Sequence, residues 1–427
     1  MLGVLLILAG AGGGSSGYGG GGGGGGGYSG GGGYGGGTSG GGSLLVFVII
    51  VAVVCLMVGF GAFSAWKLRR RRRERAAKVT LAAAEAATDD PVLGADAVVT
   101  SARGLYDDCQ AAWDGRDRAK LAEMVGPDLL VEWTKRLDDF DAKGWHNRVE
   151  VLGDPKVEYL GLVNREGHDA DRVVVRITAQ QRDYVQDAAG NKILKDNAKT
   201  DIVGVAEWWT LARHDDRWIV VSIEQDAEGI HHLEDPLVAV PDADSQALHD
   251  ESLVELANAD AAEPGVKTAE IADLDFSGDA RAAALDLSLA DARFAPDVLE
   301  VAVRRAVAGW AEAVDGEDAP LLAVAHPEAA RELLYAGDPQ ERTRLVVRGP
   351  KVRRVRITAL DAASDPARMT VEVEVTGRRY VEDRATAEVL SGSQSTETTF
   401  TEHWTLAIDG PPEQPWRIVD AGTPARR

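Results

Sequence analysis

Residues Leu44 to Trp66 read LLVFVIIVAVVCLMVGFGAFSAW, 23 positions without a formal charge, and Lys67, Leu68 and Arg69 to Arg73 follow at once. A helix rises ~1.5 Å per residue, so this run covers a hydrocarbon core of ~30 Å. The spacing predicts a transmembrane helix over 44–66. Short basic segments beside such a helix stay on the cytoplasmic side. The expected arrangement is a single-pass protein of the cell membrane, with its N-terminus outside and everything beyond Arg75 held as cytoplasmic cargo. Lys67, Arg69, Arg70, Arg71, Arg72 and Arg73 are the expected membrane-surface residues, at ~1 kcal/mol per base near anionic headgroups.

Upstream, Met1 to Ala11 is apolar but too short to span, and it lacks the basic start of a secretory signal. Gly12 to Gly42 is almost pure glycine with Ser15, Ser16, Tyr18, Tyr28 and Tyr34 interspersed. Such a composition cannot bury a core, so 1–43 is expected to be a disordered tether. The formal charge of -22 understates the acidity of the remainder, because the bases concentrate at 67–78. An acidic folded part is a poor polyanion binder, which argues against nucleic acid as a partner of the folded portion. Cys55 and Cys109 make neither a disulfide framework nor a zinc pattern.

After an alanine-rich stalk completing 67–90, apolar residues recur at helical spacing: Val98, Ala102, Leu105, Cys109, Ala112 and Trp113, then Ala119, Ala122, Met124 and Val125 up to Gly126, then Leu129, Leu130, Trp133, Leu137 and Phe140 behind Pro127. Beyond Gly144 the period becomes two, predicting strands at 148–152, 156–163, 172–183, 199–212 and 217–225. Helices followed by strands imply an α+β unit over 91–235, with three helices on a curved antiparallel sheet. An acidic Ala/Pro/Asp-rich stretch at 236–278 is expected to be a linker carrying one helical piece near 250–257. The pattern then repeats over 279–427. Trp113 returns as Trp310, Pro127 as Pro327, Pro155 as Pro350, Tyr184 as Tyr380, Glu207-x-Trp209 as Glu402-x-Trp404, and Trp218 as Trp416. Six anchors in one order predict two tandem copies of one domain.

These anchors carry a family resemblance. Ala112-Trp113-Asp114, Asp117, Leu121, Pro127-Asp128-Leu129, the Glu207-x-Trp209-x-Leu211 strand and Trp218-Ile219-Val220 resemble the Tim44-like domain family. The glycine-rich start, membrane helix and basic block also look like bacterial members. The resemblance covers 96–228, and the second copy is similar more weakly because Trp310-Ala311 replaces the Trp-Asp pair. It implies the cone-shaped NTF2-like fold, no cofactor, and binding of protein or peptide partners in a membrane-associated, protein-transport setting. The mitochondrial namesake is a scaffold linking a translocation channel to its motor.

The candidate ligand or partner cavity comprises Arg182, Tyr184, Glu207, Trp209, Tyr380, Glu402 and Trp404. Glu207 shares a strand face with Trp209 and Leu211. It reads first as a salt-bridged rim residue facing Arg176 or Arg182, with Arg378 or Arg379 facing Glu402, and second as a buried general acid or base. Tyr184 and Tyr380 read as core or rim residues that can instead close a cavity floor. Trp208, on the opposite sheet face, is the expected surface tryptophan. His231-His232 beside Glu234 and Asp235 reads as a flexible exit from the domain rather than a metal site. With no GxSxG and no phosphate loop, no catalytic residues are assigned. The expectation is a non-enzymatic adaptor, the alternative an NTF2-like small-ligand binder or enzyme using the cone interior.

Overall fold

In this computed structural model the described residues are 10–13, 15, 16, 18, 42–165, 167–195, 198–241, 245–261 and 279–422, without the side chains of 42–52, 54, 55, 57, 58, 169, 245 and 246. Most of the expected tether and the stretch 262–278 lie outside them.

Helix α1, Gly42–Ala86, continues from the apolar run through the basic block into the stalk. Arg72, Arg75, Val79, Ala83 and Ala86 follow three-to-four spacing along one face of it, and the last three are buried in the core of the first α+β unit. Among the described residues no helix is long and apolar enough to cross a membrane. Most side chains of 44–58 fall outside the described set, so the spanning expectation rests on sequence alone.

The first unit comprises α2 (Ala95–Asp114), α3 (Arg118–Ala122), α4 (Pro127–Ala142), and strands β1 (His146–Val163), β2 (Arg172–Gln186), β3 (Lys192–Ile193), β4 (Ile202–His214) and β5 (Arg217–Gln225). Gly115 closes α2, and Pro127, which has no N–H to lose, opens α4. The two strands expected at 148–152 and 156–163 are one, interrupted by a bulge between Leu152 and Lys156. The antiparallel sheet runs β1-β2-β4-β5, with β3 on the outer end of β2. Its inner face meets α2 and α4 in a core holding Tyr106, Trp113, Trp133, Phe140, Trp209 and Trp218.

The second unit is built alike from α6 (Ala280–Ser288), α7 (Pro296–Glu312), α8 (Ala319–Val324), α9 (Pro327–Tyr335), and strands β6 (Thr343–Asp361), β7 (Arg368–Asp383), β8 (Val389–Gly392), β9 (Thr398–Ile408) and β10 (Trp416–Asp420). Its sheet runs β6-β7-β9-β10, with β8 on β7. The duplication extends to single hydrogen bonds. Gly126 N donates to Val220 O at 2.7 Å before α4, and His326 N donates to Ile418 O at 2.7 Å before α9. Helix α5, Ser245–Ala259, contains the piece expected in the linker, but Ala257 is buried in the second core and Asp250 pairs with Arg304 of α7. An acidic composition had hidden this apolar edge.

The units meet through buried charge. Arg384 Nε donates to Glu132 Oε1 at 2.6 Å, Arg136 Nη2 to Glu382 Oε1 at 3.3 Å, and Ser222 Oγ to Asp315 Oδ2 at 2.8 Å. All four members of the first two pairs are buried.

Candidate functional site

Beside the second unit, Gln110 of α2, Trp133, Arg136, Asp139 and Lys143 of α4, and Gln181 and Asp183 of β2 line a groove. Trp133 packs edge to face on Trp113, with centroids 5.6 Å apart. Trp113 Nε1 donates to Asn147 Oδ1 at 2.8 Å, and Asn147 Nδ2 donates to Asp183 Oδ1 at 2.6 Å. This chain fixes the buried carboxylate at the groove's far end. Burial lifts Asp183 above the ordinary carboxylate range in spite of hydrogen bonds from Tyr18 and Asn147.

The groove holds the chain's own N-terminal segment. Ala11 N donates to Gln110 Oε1 at 2.7 Å, Arg136 donates to Gly12 O, and Tyr18 OH donates to Asp183 Oδ2 at 2.7 Å. Ser15 Oγ bonds Asp139 and accepts from Lys143 Nζ at 2.6 Å, while Ser16 N donates to Thr386 O of the second unit at 3.1 Å. Gly10 and Gly12 have φ of +102° and +82°, a region open to glycine. A Cβ on Gly12 would stand 2.3 Å from Trp133 Nε1. The groove therefore reads glycine by backbone shape, and tyrosine by a buried acceptor. A void of about 30 Å³ remains beside Ala11 and Gly12, so the segment fills its seat closely. For the described residues 10–13, 15, 16 and 18 the expected loose tether is instead a seated segment. Glycine content signals flexibility, yet the same residues can satisfy a shape that no other residue fits.

The sequence-predicted residues do not converge on one cavity. Glu207 and Trp209 face inward as expected, but Glu207 is buried without an arginine and accepts from Trp209 Nε1 at 2.9 Å. Arg176 lies on the opposite face, bonded to Asp226 at 2.6 Å and Glu158 at 3.0 Å, and Arg182 pairs outward with Glu150 and Asp201. Register explains the difference: Glu207 pairs with Ile177, so only odd-numbered residues of β2 share its face. Desolvation raises the Glu207 carboxyl to about 7 against the Trp209 hydrogen bond. Tyr184 is likewise outward, with Lys192 Nζ 3.9 Å from its ring centroid. In the second copy Glu402 does pair with Arg379, at 3.3 Å, while Trp404 is fully buried. Tyr380 is buried at the junction, near Glu228 of the first unit.

Two further expectations are corrected. Trp208 is buried, not exposed, because the 3₁₀ turn Gly229–Leu233 folds over that sheet face. A Cβ on Gly229 would sit 2.1 Å from Trp208 Cγ. The same turn makes His231-His232 an ordered, largely buried pair instead of a flexible exit. Glu224 faces both imidazoles, while Glu234 turns away to Arg71 and Lys351. Burial alone would raise Glu224, but the imidazoles and Arg348 hold it well below the usual carboxylate range. This group borders a cavity of about 940 Å³ between the units.

The basic block divides by helix face. Arg71 pairs with Glu234 at 2.7 Å, and Arg72 approaches Glu158 and Asp226, whereas Lys67, Arg69, Arg70 and Arg73 are exposed.

Residues 79–225 match the model of the Tim44-like domain, so the chain contains one, and its match begins at the first α1 residue buried in the core. Two solved structures show faint likeness. One is the intermembrane space region of chloroplast protein ARC6, 15% identical over 30% of this chain and 95% of that one, with a TM-score of 0.24. The other is an Ntf2-like protein involved in plasmid conjugation, 11% identical over 77% of this chain and 98% of that one, with a TM-score of 0.20. No curated protein sequence matches the chain.

Proposed function

We propose that this chain is a non-enzymatic, membrane-anchored adaptor whose first unit binds an extended peptide from a protein partner at the cytoplasmic face. The observation that carries the reading is the groove's hold on Gly10 to Tyr18: backbone bonds at Ala11 and Gly12, close approach at Gly12, and a tyrosine hydroxyl on buried Asp183. A Tim44-like domain over 79–225 fits a binding or scaffold role, with protein transport as its setting.

The anchor is α1. Val53, Leu56, Phe60, Phe63 and Trp66 are exposed apolar side chains along it, and lipid is the solvent that suits such a surface. Lys67, Arg69, Arg70 and Arg73 then face the headgroups while Arg71, Arg72 and Arg75 hold the first unit close to them. A spanning α1 and a seated Gly10 to Tyr18 exclude each other within one chain, because the segment precedes the helix and the groove follows it. In the inserted chain the segment lies across the bilayer and the groove is free for a partner of similar sequence. Before insertion the segment occupies it.

Cysteine labelling tests the topology. In a chain with Cys55 and Cys109 replaced, Ser15→Cys is expected to react with an impermeant maleimide from outside intact cells, and Ser395→Cys only after lysis. Labelling of both from one side refutes the anchor.

A further inference from the structure

We propose that Glu224, His231 and His232 form a binding site for a divalent transition metal of the zinc class, with Asp235 orienting the His232 imidazole. Adjacent histidines make poor joint ligands in an extended chain because their rings diverge. Here they lie in the 3₁₀ turn Gly229–Leu233, which brings the ring centroids to 4.0 Å. Glu224, near the end of β5, meets both: Oε2 is 2.8 Å from His231 Nε2, and Oε1 is 3.3 Å from His232 Nε2. All three ligand atoms fall within 4.8 Å of one another. Tetrahedral zinc with bonds of ~2.0–2.1 Å places its ligands roughly 3.3 Å apart, so small side-chain movements close the shell.

The far side of the rings matches the same chemistry. Asp235 Oδ2 lies 2.7 Å from His232 Nδ1 and 3.8 Å from His231 Nδ1. A carboxylate on Nδ1 takes that nitrogen's proton into a hydrogen bond and turns the Nε2 lone pair toward a metal. His232 Nε2 is buried and makes no hydrogen bond, so its position is set without satisfying it. Arg348 Nη1 is the competing cation at Glu224, 3.9 Å from Oε1, but its Nη2 is bonded to Asp315. Glu224, His231, His232 and Asp235 all border the 940 Å³ cavity between the units, which gives an ion a way in. A His₂Glu set with one open position is the pattern of a zinc that keeps an exchangeable water or anion.

The test uses the full chain in detergent, stripped with a chelator and titrated with Zn²⁺ by calorimetry, then with Co²⁺ by visible absorption. One Zn²⁺ per chain and a tetrahedral Co²⁺ spectrum are expected. His231→Ala, His232→Ala and Glu224→Gln should each weaken binding at least tenfold, and Asp235→Asn by about 10–100-fold. His168→Ala, in the more exposed Asp90, His168 and Asp171 cluster, should change nothing. Because the alanine variants remove buried groups, His231→Gln with wild-type circular dichroism serves as the folded control, and Zn²⁺ should raise the melting temperature of the parent but not of this variant. Absence of saturable binding, unchanged affinity in the His231→Ala/His232→Ala double variant, or loss in His168→Ala overturns the assignment.

Discussion

Replacing Glu207 by glutamine should make the protein more stable at neutral pH, and by an amount that depends on pH. Folded Glu207 keeps its proton up to about pH 7, whereas in the unfolded chain it releases it near the ordinary carboxyl value of 4.5. Between those values the folded state binds more protons than the unfolded state, so stability falls as pH rises through the window. At about 1.36 kcal/mol per unit, the gap costs the parent up to about 3 kcal/mol by pH 8. Glutamine cannot ionise, yet it keeps an amide oxygen where Glu207 accepts from Trp209 Nε1. Other buried acids, such as Glu228 and Asp128, titrate in both proteins and cancel in the difference. Urea unfolding of parent and Glu207→Gln at pH 4 and pH 8 reads the effect. The variant's advantage should be larger at pH 8 than at pH 4 by about 3 kcal/mol. A difference independent of pH would show that Glu207 is ionised in the folded protein, and would refute the argument that no cation reaches it.

Other perturbations address the junction and the groove. Glu132→Ala leaves Arg384 buried without its carboxylate partner, which should cost about 3–5 kcal/mol and separate the melting transitions of the two units in calorimetry. In the chain before membrane insertion, Gly12→Ala should unseat the N-terminal segment, because its Cβ collides with Trp133 and its φ is positive; proteolysis near residue 15 should then speed up. Tyr18→Phe removes a donor from buried Asp183 and should weaken seating by about 1–3 kcal/mol, seen in the same proteolysis.

Much of this architecture was readable from periodicity and repetition. The helices on Trp113 and on Trp133, the strands around Trp209 and Trp218, and the second copy on Trp310, Trp404 and Trp416 all stand where apolar spacing puts them. What spacing could not supply was register. Arg176, Arg182 and Tyr184 look close to Glu207 until pairing with Ile177 sends them to the other face. Nor could it supply what covers a face: Trp208 is outward on its strand but lies beneath the turn at Gly229, and that same turn joins His231 and His232 to Glu224. The groove segment was hardest to see because glycine composition says nothing of partners. Tyr18, Tyr28 and Tyr34 stand alike in the tract, so nothing local marks Tyr18 as the one that reaches a buried acceptor.

Once α1 lies in a bilayer, the first unit's groove is expected to take an extended glycine-and-tyrosine peptide. Titrating a labelled peptide with the sequence of residues 9–18 onto the full chain in lipid nanodiscs measures this directly. Saturable one-to-one binding that Asp183→Asn and a Tyr18→Phe peptide both weaken is the predicted result. No binding in nanodiscs, or binding indifferent to both changes, would contradict it.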